Sequence, residues 1–97
     1  MPVISVTAPL QIWSNEEGSS HFMVLPEEQA IEVRVYSRSN PRGFGSVRVE
    51  CTIGEIRWRT SLFPRKDGGY FLPMKIDVCR RAAIVAGDEI TVVLELL

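Results

Sequence analysis

His21, Cys51 and Cys79 are the residues of this chain best suited by type to proton transfer, nucleophilic attack or metal ligation, and spacing decides whether they could do any of it. His21 is the single histidine and has no acidic or cysteine partner at a motif spacing, so a surface or packing role outweighs that of a base or ligand. Cys51 and Cys79 lie 28 positions apart without a CxxC pair, and both fall on apolar faces. Buried structural thiols in a reducing compartment are expected, ahead of a disulfide or a metal pair. Gly68-Gly69 is too little glycine for a phosphate-cradling loop. With no nucleophile and base to pair, neither an enzyme activity nor a cofactor or metal is expected.

Charge offers a different chemistry. All 11 Lys and Arg lie between Arg34 and Arg81, where only Glu50, Glu55, Asp67 and Asp77 oppose them, so that segment carries +7 and the remainder −8. Arg48, Arg57 and Arg59 fall on one outer face; with Arg42 and Phe44, from the polar loop Ser37 to Ser46, they form the candidate interaction surface. Such a surface could meet phosphate or another acidic partner, although neutralisation by neighbouring acidic strands is the favoured reading. A net charge of −1 and a pI near 5.8 also lack the basic surplus typical of duplex-DNA binders. The expected partner is an unidentified protein or anionic group, with nucleic acid less favoured.

The elements that position these residues are legible from alternation. From Val47 to Ile53 the apolar residues occupy odd positions; after Gly54-Glu55, Ile56, Trp58, Thr60 and Leu62 alternate with Arg57, Arg59 and Ser61. A two-residue loop with Gly first suits a type II′ turn, which sets Ile53 opposite Ile56, Cys51 opposite Trp58 and Glu50 opposite Arg59. The charge pair is worth a few tenths to about 1 kcal/mol, against roughly 3 to 5 for truncating a buried Trp58, so packing decides this hairpin. Lys66-Asp67-Gly68-Gly69 makes the next reversal, and Pro64 and Pro73 belong at strand ends or an edge.

Residues 3 to 13 read as one long amphipathic strand, bent or at an edge because of Pro9; residues 15 to 18 then turn into a second strand, Ser19 to Leu25. Pro26-Glu27-Glu28 resembles a helix start, yet Ile31, Val33 and Val35 alternate as in a strand. A further helix fits Lys75 to Val85, ended by Gly87, with a final core strand through Ile90, Val92, Leu94 and Leu96. HFMVLPEE and GYFLPMK share an aromatic, Leu-Pro, helix pattern; laying Leu25-Pro26 on Leu72-Pro73 sets Ile31 on Val78 and Arg34 on Arg81, as two related units of a pseudo-twofold barrel would.

With 97 residues, 45% of them hydrophobic, a single domain spanning 1–97 is expected, with one modest core and a stability of about 5 to 15 kcal/mol. There is no charged-then-apolar leader and no apolar run near 18 residues, so neither a signal peptide nor a membrane span is expected and the default location is cytoplasmic.

Three runs carry a family resemblance: LPEEQAIEV, RWRTSLFPRKDGGYFLPMK with the CRRA that follows, and GDEITVVLEL. Together they resemble the bacterial family known as domain of unknown function nineteen-oh-five, over nearly the whole chain. The resemblance implies a mainly β fold, a small double-split β-barrel (pseudobarrel) of about six strands with two short capping helices, and so tips residues 27 to 37 towards helix. The same fold class holds the AbrB-type swapped-hairpin DNA-binding proteins, and FLPMKIDVCRRAAIVAGDEITV is similar to their strand, Pro, Arg-bearing helix, Gly-Asp and strand pattern. No catalytic residues come with the resemblance. A small non-enzymatic binding or interaction module is the expected function, and an AbrB-like nucleic-acid-binding or transcription-regulatory protein is the alternative.

Overall fold

A computed structural model describes residues 2–39 and 45–97. The order of elements is β1 (Val3–Pro9), β2 (Gln11–Asn15), β3 (Gly18–Val24), α1 (Glu27–Ser39), β4 (Val47–Ile53), β5 (Ile56–Pro64), β6 (Tyr70–Met74), α2 (Ile76–Ala82) and β7 (Glu89–Leu96). The strands form one curled, barrel-like sheet in the order β1-β7-β4-β5-β6-β3-β2, with neighbours antiparallel.

Seven strands stand where six were expected because the long first strand divides at Leu10. Pro9 has no N–H to offer, and Leu10 turns out of the ladder, donating to the Asp88 carbonyl at 2.8 Å and accepting from Gly87 at 2.8 Å. Upstream of this point the chain pairs with β7, and downstream with β3, so β1 and β2 end on opposite edges of the sheet. β5 is divided in the same way without breaking: Ile56 to Leu62 pair with β4, whereas Phe63 and Pro64 pair with β6.

The β4–β5 hairpin has the expected register, with Cys51 opposite Trp58, Ile53 opposite Ile56 and Glu50 opposite Arg59. Gly54 has φ 56°, and Ala83 is the sole non-glycine with positive φ among the described residues, so Glu55 does not share the left-handed region. Positive φ at the first turn position alone is the signature of type II′.

Both Leu-Pro junctions lead into helices. In α1 the Pro26 carbonyl accepts the first helical bond, from Ala30 at 2.9 Å, and Ala30 and Val33 face the core. The β-branched residues that read as a strand are reconciled by exposure, since Ile31 and Val35 lie on the solvent side and Val35 is 59% exposed. α2 is shorter than Lys75 to Val85 and does not run to Gly87. Ala83 adopts φ 55° and donates to Arg80, while Ile84 donates to Cys79, a Schellman closure that brings Ile84 onto the core. Gly87 instead serves the turn into β7.

An offset of 47 residues, that of the Leu-Pro echo, also relates the central pairings. Val24 pairs with Phe71 and Val49 with Leu96, so each of these residues faces its own counterpart across the sheet. Two strand-strand-helix-strand units are therefore arranged head to head, and each lends its first strand to the other's last: β1 to β7, β5 to β4. The inward faces of all this pairing enclose the core, which includes Val6, Leu10, Met23, Val33, Val49, Cys51, Leu62, Leu72 and Leu94, and no polar or charged residue is buried among the described residues.

Candidate functional site

Alternation along β4 and β5 places Arg48, Arg57 and Arg59 together on the exposed outer face, as the sequence implies; Arg42 and Phe44 lie outside the described residues. The outer face is not uniformly basic. Glu50 stands between Glu95 on β7 and Arg59 on β5, with Arg59 Nε 3.1 Å from its Oε2. Arg59 thereby offsets a direct like-charge pair. Arg48 and Arg57, opposite Ser61 and Thr52, make no ion pair among the described residues.

Both cysteines are buried free thiols. Burial, reinforced by the adjacent Glu50 charge, pushes the Cys51 thiol up to about 12, and burial likewise raises Cys79. Neither thiol is primed as a nucleophile near neutral pH. An unfolded chain would release the Cys51 proton near its ordinary value of 9.0, before the folded chain does, so this residue makes stability fall as pH rises from about 9 towards 12. The expected result is that Cys51→Ala shows a shallower loss of stability over that window than the native chain, measured by denaturant unfolding at a series of pH values; parallel curves would contradict it. His21 is half-buried at the end of the inner face, opposite Ile12 and Met74. No cluster of three or more His, Cys, Asp and Glu side chains suited to a metal occurs among the described residues.

A concavity of about 760 Å³, which His21 also lines, lies on the outer face of strands β2, β3 and β6. Inward residues Met23, Leu72 and Met74 are buried, so strand alternation turns Phe22, Phe71 and Pro73 outward to make its floor. Trp13, 57% exposed on edge strand β2, makes one wall, and Pro64 to Asp67 make the other. The floor rings are ordered by contact: Phe22 meets Phe71 edge-on at 6.3 Å, and Phe63, at the end of β5, meets Phe71 at 5.7 Å. Arg57, Arg59, Ser61 and Phe63 alternate along one face of β5, so the arginines lie on the same outer face as Phe63, which meets the groove's Phe71.

The β5–β6 turn that forms the second wall is tied down on several sides. Arg65 donates to Gly69 at 2.8 Å, Gly68 to Arg65 at 3.1 Å, and Gly69 to Asp67 Oδ1 at 2.9 Å, with Arg65 Nε 3.6 Å from the other Asp67 oxygen. From α1, Arg34 donates to the Gly68 carbonyl. Gly68 takes φ 90°, which calls for glycine; a Cβ there would also stand 3.2 Å from Nη2 at the flexible end of Arg34. Asp67 thus spends both oxygens on the turn, whereas exposed Lys66 makes no ion pair among the described residues.

Sequence reasoning missed this groove. Trp13, Phe22, Phe71 and Phe63 sit on the solvent-facing half of strand alternation, where aromatic residues are uncommon; that was the available signal. No helix is long and apolar enough to cross a membrane among the described residues. Among curated proteins none matches the chain in sequence. Residues 7–94 match the family model described as Domain of unknown function (DUF1905), a span that takes in both halves of the barrel and every strand lining the groove, and the chain belongs to that family.

Proposed function

We propose that this protein is a small non-enzymatic binding module whose ligand-contacting surface is the groove between Trp13 and the β5–β6 turn, extended along β5 by Arg57 and Arg59. The observation that carries the reading is the aromatic lining: half-buried Phe22 and Phe71 on the floor and exposed Trp13 on the wall shape a solvent-facing concavity of ligand size. Every buried position among the described residues is apolar, and none of these three rings is one of them.

We assign the fold to the double-split barrel class on the support of two strands, β1/β2 and β5, that change pairing partner along their length. Buried free thiols suit a reducing compartment such as the bacterial cytoplasm. The AbrB-like nucleic-acid alternative rests on Arg48, Arg57 and Arg59, and the Glu50–Arg59 pair with Glu95 alongside weighs against it, since phosphate neutralisation needs uncommitted cations.

A mobility-shift titration with duplex DNA at low and moderate salt, run beside an amide-signal titration with a mixed panel of small aromatic molecules, tests the assignment. The expected outcome is weak or absent DNA binding and ligand-induced shifts gathered at Trp13, Phe22 and Phe71. Tight, steeply salt-dependent DNA binding that Arg48→Gln, Arg57→Gln and Arg59→Gln remove would overturn it.

A further inference from the structure

We infer that the groove takes a planar aromatic ligand bearing one anionic group, its ring lying against Trp13 and Phe71 and its charge meeting Lys66. This rests on the binding-module reading above and names the ligand chemistry of the same site. The floor and one wall offer aromatic faces and edges, with Ser20 and His21 as the polar residues among them, which suits a flat ring recognised by stacking more than by an extended hydrogen-bond pattern. The opposite wall supplies the charge. Arg65 and Asp67 neutralise each other and Asp67 also holds Gly69, which leaves the Lys66 ammonium on the rim with no ion-pair partner among the described residues. An anion is the complementary partner, and a cation would meet Lys66 unshielded.

The volume, about 760 Å³, accommodates one small molecule and is short for a strand of nucleic acid. The shared chemistry, one flat ring and one anion, occurs both in nucleoside monophosphates and in aromatic sulfonates or carboxylates, and the test separates these. The turn that carries Lys66 is fixed by its own hydrogen bonds and by Arg34 from α1, so the charge is presented from a rigid wall before any ligand arrives.

The experiment titrates the ¹⁵N-labelled chain with naphthalene-2-sulfonate, its neutral sulfonamide, adenosine 5′-monophosphate and adenosine, and follows the Trp13 indole N–H signal together with the backbone amide signals of Phe22 and Phe71, which Trp13→Ala retains. Trp13→Ala identifies the indole signal. The anion of at least one pair is expected to bind about fivefold or more tightly than its neutral partner, Lys66→Gln to erase that preference, and Trp13→Ala to weaken both members of the pair about tenfold. Which pair responds tells a phosphate-bearing base from a simple aromatic anion. Both substituted side chains are exposed, and unchanged melting temperatures confirm that the variants fold. Equal affinity for anion and neutral partner would overturn the inference and leave the binding-module reading standing. A preference that survives Lys66→Gln but falls with Arg57→Gln would also overturn it, by moving the charge contact to β5. No response of Trp13 to any of the four would overturn both.

Discussion

Leu10→Ala is expected to lower the unfolding free energy by about 2 to 5 kcal/mol, a large share of the roughly 5 to 15 kcal/mol that a domain of this size has. Leu10 is 1% exposed, and it sits at the one point where the chain leaves the β7 ladder and enters the β3 ladder. Its side chain therefore anchors a junction whose backbone is held by the bonds to Gly87 and Asp88. For a chain of this length each kcal/mol shifts the melting temperature by about 4 to 8 °C, so a fall of about 10 °C or more should be recorded by calorimetry. Ile12→Ala is the control: two residues on and 48% exposed, it should change stability by no more than about 0.5 kcal/mol. Comparable losses at the two positions would show that the junction has no special anchoring role.

Trp58 separates two contributions that are usually entangled. It packs against the core from the inner face of β5, opposite Cys51, and its Nε1 is buried with no hydrogen-bond partner among the described residues. Trp58→Ala removes the ring and should cost about 3 to 5 kcal/mol. Trp58→Phe keeps most of the apolar surface and deletes a donor whose unmet burial costs about 1 to 3 kcal/mol, so the two effects oppose and the net change should stay under about 1.5 kcal/mol. Chemical denaturation of the three proteins decides it. A Phe variant as damaged as the Ala variant would mean that the indole N–H contributes favourably.

Much of the β4–β5 hairpin was readable because three independent signals agree there: alternation, the Gly54-Glu55 turn and the Glu50–Arg59 pair all demand one register. Residues 27 to 39 were ambiguous because Ile31 and Val35, apolar and β-branched, occupy the solvent side of α1; local composition imitated a strand that the packing of Ala30 and Val33 overrules. Division at Leu10 could not be read from alternation, since β1 and β2 keep the same two-residue period and the break concerns only which partner each half meets. The groove was hidden for a related reason. Its wall and floor come from four strands and a turn, and only the β3–β6 pairing brings Phe22 and Phe71 into contact.

The exchange of first strands between the two halves has a consequence for how the chain acquires its structure. β1 emerges first during synthesis, yet its partner is β7, and the Thr7–Thr91 hydroxyl contact spans 84 residues. Until β7 has been made, β1 has an unsatisfied edge and β4 lacks one of its two neighbours, so a nascent chain carries open strand edges that invite mispairing. Closing that long loop makes folding slow for a molecule this small, because the entropy of bringing distant segments together is spent before their contacts form. The same exchange then makes opening cooperative: β7 cannot leave without releasing β1 and β4 together, so peeling one half from the other means losing most of the barrel at once.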